Sequence, residues 1–298
     1  MDASVQCSPA LHRRGKQSCL SESSLARLVR AWNRTHPRHK IAVNSTRKNG
    51  KGGRNLATVL KQKMKTVYNC ENEYCAVKKL ALDEKERREM LSAFRPEKPT
   101  EWDKNQTTWL DSFNIEDVMN QYEAAESNFE FIGPVPIDFD SKAGMFGKCI
   151  VEELCKLRLE DAKQKGKTKI GIIFNLDKHD EPGSHWVCAF IDIEGSAAYY
   201  FDSYGYEPPQ EITDLLARMK TQGIQNVYWN DIRHQRKGSE CGMYCLFVII
   251  CLLRGRKFYD ICKNVVDDDT MNAFRDVLFA EEKPRREAVE KALPRLCI

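Results

Sequence analysis

The spacing of apolar residues is helical over the first third of the chain. Leucine, valine and tryptophan side chains recur every three or four residues in the first of three predicted helices. These helices cover residues 20–35, 55–66 and 83–94. Ser21 or Ser23 can cap the first of them. Residues 44–54, rich in glycine, asparagine and positive charge, are predicted to form a flexible loop.

Beyond residue 100, helical and extended patterns are mixed. A short extended segment is predicted over residues 134–139, and predicted strands cover residues 168–174, 186–193, 197–201 and 226–230. Predicted helices cover residues 111–122, 149–161, 209–222 and 270–281. Asp269 can cap the last of these helices. An apolar run, Met243–Leu253, is too short to span a bilayer and predicts a buried helix that begins near Cys241. The predicted fold class is therefore α+β, with a central mixed sheet and one buried helix.

A segment with two prolines separates the two patterns. Pro96 and Pro99 lie within residues 95–100 and favour an extended linker. We therefore predict a helical N-terminal arm over residues 1–100 and a mixed core over residues 101–298.

Charge is distributed unevenly along the chain. The chain has 298 residues, of which 42% are hydrophobic and 30% charged, as is typical of a globular protein. Residues 1–66 hold 15 Lys and Arg against 2 Asp and Glu, a balance of +13, so the remainder carries −9. Such a basic segment attracts polyanions; the alternative is a solvated surface that keeps the arm soluble.

The chain has twelve cysteines, and its first residues lack the layout of a signal peptide. Together these features indicate a reducing compartment, free thiols and no secretion. Cys70 and Cys75 have the spacing of half a zinc site, but no second close pair completes it. Buried thiols are therefore the favoured interpretation, and neither a metal nor a cofactor is expected.

Residues 183–245 hold the residue types that cysteine-dependent hydrolysis needs. Cys241 lies at the predicted start of the buried helix, where partial positive charge and free N–H groups stabilise a thiolate. Gly242 is expected to let a substrate carbonyl approach the backbone. Cys245 lies one turn further along the helix and is interpreted as a packing residue.

Two predicted strands bring a base and its partner together. His185 begins one strand and Asp202 ends the next, so a hairpin pairing places the two side by side. Asp192 is the next carboxylate to consider. Each residue also has an ordinary interpretation: His185 as a half-exposed loop histidine and Asp202 as the first residue of a turn.

Gln235 lies six residues before Cys241, in the loop that leads to it. Its side-chain amide is a candidate donor to an oxyanion, together with the N–H of Cys241. The alternative is a solvated loop glutamine. The neighbouring His234 is interpreted as a loop residue.

These residues resemble a known group of proteases. The motifs are His-Trp at 185–186, Phe-Asp-Ser at 201–203 and Gln-x5-Cys-Gly at 235–242. They are similar to those of the ubiquitin-like-protein protease and adenovirus protease clan, where the catalytic order is His, Asp or Asn, Gln, Cys. Trp109–Asp111 resembles the start of that core. Residues 230–235 look closer still to the polyprotein-processing proteases of large cytoplasmic DNA viruses, the African swine fever virus type, which also carry a helical N-terminal arm.

The resemblance implies a thiol endopeptidase that cuts after Gly-Gly-like sites. Trp186 matches the tryptophan that walls a narrow channel for the two glycines. Trp109 is a less direct candidate for a second wall of this channel. The alternative is that Trp109 is a core or interface tryptophan.

The substrates that the resemblance implies are viral polyproteins, cut during virion maturation in the virion and the host cytoplasm. The alternative substrate is a ubiquitin-like modifier of the SUMO type, which the enzyme would process or deconjugate. We expect the basic arm to bind packaged nucleic acid without sequence preference, and we expect no membrane span. A catalytically idle binding module is disfavoured because all four catalytic positions are filled. An acyltransferase on a related fold is a further alternative.

Overall fold

The computed structural model describes residues 7–11, 18–42, 56–70, 72–143 and 147–280. The predicted loop over residues 44–54 lies outside these ranges. Contacts within the chain divide it into two units. The first holds the described residues up to Glu97 together with residues 278–280, and the second runs from Lys98 to Val277.

The first unit is helical. Its helices are α1 (Glu22–Thr35), α2 (Leu56–Tyr68), α3 (Glu73–Lys79) and α4 (Glu84–Leu91). Ser21 caps α1, since its side chain accepts a hydrogen bond from the N–H of Ser24. The apolar faces of the helices meet in one core, in which Trp32 is fully buried and donates from Nε1 to the carbonyl oxygen of His39 at 2.9 Å. The predicted helical arm is thus present.

Three disulfides join pairs of described cysteines, and Cys251 is disulfide-bonded as well, so the prediction of free thiols is wrong for these residues. The pairs are Cys7–Cys19, Cys70–Cys75 and Cys149–Cys155. Cys70 and Cys75 are therefore neither thiols nor half of a zinc site. Their spacing fits either interpretation, and only the fold shows that α3 brings their Cα atoms to 5.6 Å from each other. The free cysteines among the described residues are Cys188, Cys241, Cys245 and Cys262, all buried.

The second unit is built on a five-stranded mixed sheet with the strand order β1-β4-β5-β6-β7. The strands are β1 (Phe129–Pro136), β4 (Lys169–Asn175), β5 (Trp186–Asp192), β6 (Ala197–Phe201) and β7 (Asn226–Trp229). β4, β5 and β6 are antiparallel neighbours, whereas β1 and β7 run parallel to β4 and β6 at the two edges. A two-stranded ribbon, β2 (Lys142–Ala143) with β3 (Lys148–Cys149), lies outside this sheet. The predicted α+β class and central mixed sheet are confirmed.

The helices of this unit are α5 (Ser112–Ala125), α6 (Glu152–Cys155), α7 (Leu159–Gln164), α8 (Gln210–Thr221), α9 (Cys241–Leu253), α10 (Phe258–Lys263) and α11 (Asp268–Leu278). Every residue of α9 is buried, and this helix packs against β4, β5 and α5. The predicted buried helix is confirmed. No helix within the described ranges has both the length and the apolarity needed to cross a membrane.

Two predicted helices differ from the structure. Residues 149–161 do not form one helix, because the chain is extended at Arg158 between α6 and α7. The side chain of Gln222 stabilises this break, since its Oε1 accepts from the N–H of Leu159 and its Nε2 donates to the carbonyl oxygen of Leu157. The last helix begins earlier than predicted, and Asp267 rather than Asp269 accepts the N–H of Thr270.

Candidate active site

Cys241 is the first residue of α9 and is 1% exposed. Its position at the N-terminus of a thirteen-residue helix places the thiol where the helix dipole favours negative charge. Glu240 precedes it but makes no side-chain capping bond to the helix. The first N–H groups of α9 therefore have no acceptor from the capping side chain and remain available to a thiolate or an oxyanion.

The β5–β6 hairpin brings His185 and Asp202 together. Cys188 pairs with Phe201 in this hairpin, so the residue before β5 and the residue after β6 lie at the same end of the sheet. His185 Nε2 is 2.8 Å from Asp202 Oδ1, and the same oxygen accepts the backbone N–H of Tyr204 at 2.8 Å. Asp202 is buried, so the carboxylate holds the imidazole in one orientation and one tautomer.

The thiol of Cys241 also interacts with the imidazole of His185 and raises its pKa. Since Nε2 is bonded to Asp202, Nδ1 is the ring nitrogen that remains for the thiol. Burial lowers the pKa of His185, but the interactions with Asp202 and Cys241 outweigh it and raise the pKa to about 9. A protonated His185 between a carboxylate and a sulfur is the arrangement that stabilises a thiolate–imidazolium pair.

Asp192, the other carboxylate that the sequence offered, lies elsewhere. It is the last residue of β5, at the opposite end of the strand from His185, and its Oδ1 accepts the N–H of Gly195 in the β5–β6 turn. Asp202 is the carboxylate that contacts His185.

Gln235 is buried, which excludes a solvated loop glutamine, and His234 lies in the loop as predicted but is buried as well. Gln235 Nε2 donates to the carbonyl oxygen of Lys237 at 2.7 Å, and its Oε1 accepts from Ser203 Oγ at 2.6 Å. His234 Nε2 donates to the carbonyl oxygen of Cys262 at 3.0 Å, and burial lowers the pKa of this histidine. His234 is therefore a neutral packing residue beneath the loop.

A buried ion pair directly precedes the nucleophile. Glu240 Oε2 is 2.9 Å from Arg275 Nε, and the two side chains are 2% and 4% exposed. Arg275 also donates to the carbonyl oxygen of Thr108 at 2.6 Å, and its guanidinium lies 4.4 Å from the ring centroid of Trp102. These contacts hold the Glu240 carboxylate on Arg275. No sequence pattern connects residue 240 with residue 275, so this pair could not be predicted.

The two candidate substrate-binding tryptophans differ in exposure. Trp186 is 5% exposed and donates from Nε1 to the carbonyl oxygen of Leu110 at 3.0 Å, whereas Trp109 is 41% exposed. A Cβ on Gly242 would lie 3.2 Å from Leu110 Cβ and 3.3 Å from Trp186 Cδ1. The sequence suggested that Gly242 lets a substrate carbonyl approach the backbone. In the structure, the missing side chain instead lets the start of α9 pack closely on Trp186.

Tyr204 is a further side chain at the site that sequence reasoning missed. Its ring centroid lies 4.8 Å from that of His185, and the Arg233 guanidinium lies 5.3 Å from the tyrosine ring. Among the described residues, no group of three His, Cys, Asp or Glu side chains is placed to hold a metal ion.

The chain was compared with protein-family models and with known proteins, and both comparisons found matches. A family model described as the Ulp1 protease family, C-terminal catalytic domain, matches residues 156–283. A predicted thiol protease of Acanthamoeba polyphaga mimivirus is 28% identical over 295 residues, which cover 93% of each chain. A cysteine protease of African swine fever virus is 29% identical over 190 residues, which cover 59% of this chain and 69% of the viral protein. In another isolate of that virus the matching protein, 28% identical, is named a SUMO-1 cysteine protease.

The fold is shared as well. A crystal structure of an African swine fever virus protease aligns with a TM-score of 0.61, covering 94% of this chain and 97% of that chain at 22% identity. The family match and the relatives confirm the resemblance predicted from the motifs.

Proposed function

We propose that this cysteine protease uses Cys241 as its nucleophile, since residues 156–283 match a family model described as the Ulp1 protease family, C-terminal catalytic domain. His185 is the base, Asp202 orients it, and Gln235 donates to the oxyanion. The observation that carries this proposal is the histidine itself. His185 is hydrogen-bonded to a buried carboxylate, and the thiol at the start of a buried helix is close enough to raise its pKa.

The reaction follows from these positions. Cys241 Sγ attacks the carbonyl carbon of the scissile peptide bond, and the carbonyl oxygen becomes an oxyanion that accepts hydrogen bonds from the Cys241 N–H and Gln235 Nε2. His185 gives its proton to the departing amine as the C–N bond breaks, which leaves a thioester on Cys241. His185 then takes a proton from water, and the resulting hydroxide attacks the thioester carbonyl. This releases the N-terminal product as a carboxylic acid and restores the Cys241–His185 pair.

The proposed substrates are viral polyproteins cut after small residues such as Gly-Gly. Two observations support this. The relatives are thiol or cysteine proteases of viruses. Trp186 packs directly on Gly242 beside the nucleophile, which supports it as the proposed first wall of a narrow channel. Trp109, half-exposed next to Leu110, is the proposed second wall. The enzyme would act during virion maturation, in the virion and at assembly sites in the host cytoplasm.

A second candidate substrate is a ubiquitin-like modifier. The name SUMO-1 cysteine protease on an African swine fever virus relative favours it. The chemistry at Cys241 is the same in both cases, and the difference lies in what surrounds the scissile bond.

The decisive experiment incubates the full chain with a panel of Gly-Gly-X and Leu-Leu-X peptides and with ubiquitin-like fusions, read by mass spectrometry. We expect cleavage after Gly-Gly, little after Leu-Leu, and none by a Cys241→Ala variant of unchanged melting temperature. Cys262→Ala is the matched control, because it removes another buried free thiol and should leave the rate unchanged. Turnover by Cys241→Ala would refute the mechanism, and equal rates on both peptide types would refute the narrow channel.

A further inference from the structure

The hydroxyl group of Ser203 lies against the side-chain amide of Gln235. Both residues are buried, at 2% and 0% exposure. Gln235 Nε2 is 2.7 Å from the carbonyl oxygen of Lys237, and a carbonyl oxygen can only accept a hydrogen bond. The amide nitrogen must therefore face Lys237, so the amide oxygen faces Ser203, whose Oγ donates to it at 2.6 Å. The two contacts together fix which way the amide is turned.

The backbone around Ser203 is held to the same loop. Its carbonyl oxygen accepts the N–H groups of His234 and Gln235, each at 2.8 Å. The side chain of Asn230 donates to the carbonyl oxygen of Asp202 at 2.9 Å. The turn ends at Gly205, with φ +79°, where a Cβ would lie 2.9 Å from the carbonyl carbon of Ile232. This close packing leaves Ser203 and Gln235 in one fixed relation.

We propose that Ser203 is a positioning residue, which holds the Gln235 amide so that its second N–H points at the oxyanion. The inference rests on the role proposed above for Gln235. A primary amide has two N–H groups; one is bonded to Lys237, and the other remains for the substrate. A reversed amide would present its oxygen to the developing negative charge and destabilise the transition state. Since Asp202 and Ser203 are consecutive, one turn orients both the base and the oxyanion donor.

Steady-state kinetics on a cleaved peptide test this role. Ser203→Ala should lower kcat by roughly 10- to 100-fold with KM unchanged, because the lost contact acts only where charge develops. Ser203→Thr keeps the hydroxyl and should recover most of the rate. The rate at which iodoacetamide alkylates Cys241 should stay at its original value in both variants. Alkylation occurs at a saturated carbon and forms no oxyanion, so it needs only the Cys241–His185 pair.

A double-mutant cycle separates positioning from a general structural role. Adding Ser203→Ala to Gln235→Ala should lower kcat no further, because the amide that Ser203 orients is already gone. Ser8→Ala is the matched control, since it removes a buried serine hydroxyl in the other unit that has no hydrogen-bond partner, and it should leave kcat unchanged. Should Ser203→Ala melt below the assay temperature, Ser203→Cys, whose thiol is a weak donor, must show the same loss of kcat.

Three results would overturn the inference. They are an undiminished kcat in Ser203→Ala, an equal loss in the Gln235→Ala background, and an alkylation rate that falls in parallel with kcat. The proposed function would be refuted by a different result, namely turnover by the Cys241→Ala variant.

Discussion

The two units of the chain keep different kinds of side chain in their interiors. The helical unit buries mostly aliphatic and aromatic residues around Trp32, and two disulfides close its loops. The charged side chains of Glu73 and Arg95 are also buried there, and they bond to backbone groups of Cys19 and Cys7. The catalytic unit has an equally apolar cluster on its sheet, yet around the start of α9 it buries acids, amides and an arginine. Those polar groups are Asp202, Ser203, Asn230, Gln235, Glu240 and Arg275.

The difference shows where the chain accepts the cost of burying polar groups. A buried charge is tolerated only where it is paired or hydrogen-bonded, and the catalytic unit pairs its buried charges with other side chains of the site. Around Cys241, each buried polar side chain bonds to another residue of the site. Glu240 binds Arg275, Ser203 binds Gln235, and Asp202 binds His185. These bonds fix orientation, which catalysis requires and simple stability does not.

The largest effect should follow from removing the base. His185→Ala should lower kcat/KM by about ten-thousand-fold, since no group remains to take the thiol proton. Asp202→Ala should lower it by roughly 100-fold, because His185 keeps its reach and loses its orientation. Peptide cleavage rates measure both. Asp192→Ala is the control and should retain the original rate; a full rate in Asp202→Ala would mean that the wrong carboxylate was assigned.

The next effect concerns stability. Arg275→Met leaves the Glu240 carboxylate buried without its partner and should lower the free energy of unfolding by about 3–5 kcal/mol. Chemical denaturation measures the change. Adding Glu240→Gln removes the unpaired charge and should restore part of the stability. Lys156→Met, which breaks the exposed pair with Glu152, is the control and should have no measurable effect. An Arg275 variant as stable as the original would show that the pair is not needed for the fold.

The contrast also explains which features were predictable. Helices α1 and α9 and the β5–β6 hairpin follow from local periodicity, and the hairpin alone brings His185 to Asp202. Contacts between distant residues left no pattern. The break at Arg158 depends on the side chain of Gln222, and the Glu240–Arg275 pair joins two helices. Residues at element ends, where tertiary bonds outweigh propensity, were therefore misjudged.

The stability of the helical unit should depend on its disulfides. Replacing Cys70 and Cys75 together by alanine should destabilise that unit by about 2 kcal/mol, the loop-closure value for so short a loop. Hydrogen exchange measured by mass spectrometry resolves the two units separately. Peptides from α1 and α2 should lose protection while peptides from α9 keep theirs. The Cys149→Ala and Cys155→Ala pair is the control, since this disulfide lies in the catalytic unit. Unchanged protection in α1 would contradict the expectation.

His185 and His234 should give opposite pH signatures. The pKa of His185, raised to about 9, lies above the unfolded value of about 6.5. Its contribution to stability is therefore complete below pH 6.5 and is lost as the pH rises through about 9. Since the imidazolium form pairs with the thiolate, kcat/KM should fall over the same alkaline range. Asp202→Asn should move that fall to lower pH.

Burial lowers the pKa of His234, so this histidine should make the fold less stable as the pH falls below about 6.5. If the alkaline fall of kcat/KM stays at the same pH in Asp202→Asn, the assignment of that fall to His185 paired with Asp202 is contradicted.

The smallest effect on catalysis should come from the surface of the helical unit. We propose that the basic arm binds nucleic acid through its charge, because residues 1–66 carry a balance of +13 and polyanion binding needs no sequence-specific contact. The full chain should bind single- and double-stranded DNA with a steep dependence on salt. Arg38→Glu together with Lys61→Glu reverses two exposed arm charges and should weaken binding and flatten the salt dependence, while peptide cleavage stays unchanged. Lys163→Glu with Lys220→Glu reverses two exposed charges in the catalytic unit and is the matched control. If both double variants weaken binding equally, or if the full chain does not bind at low salt, the arm is not the site of nucleic-acid attachment.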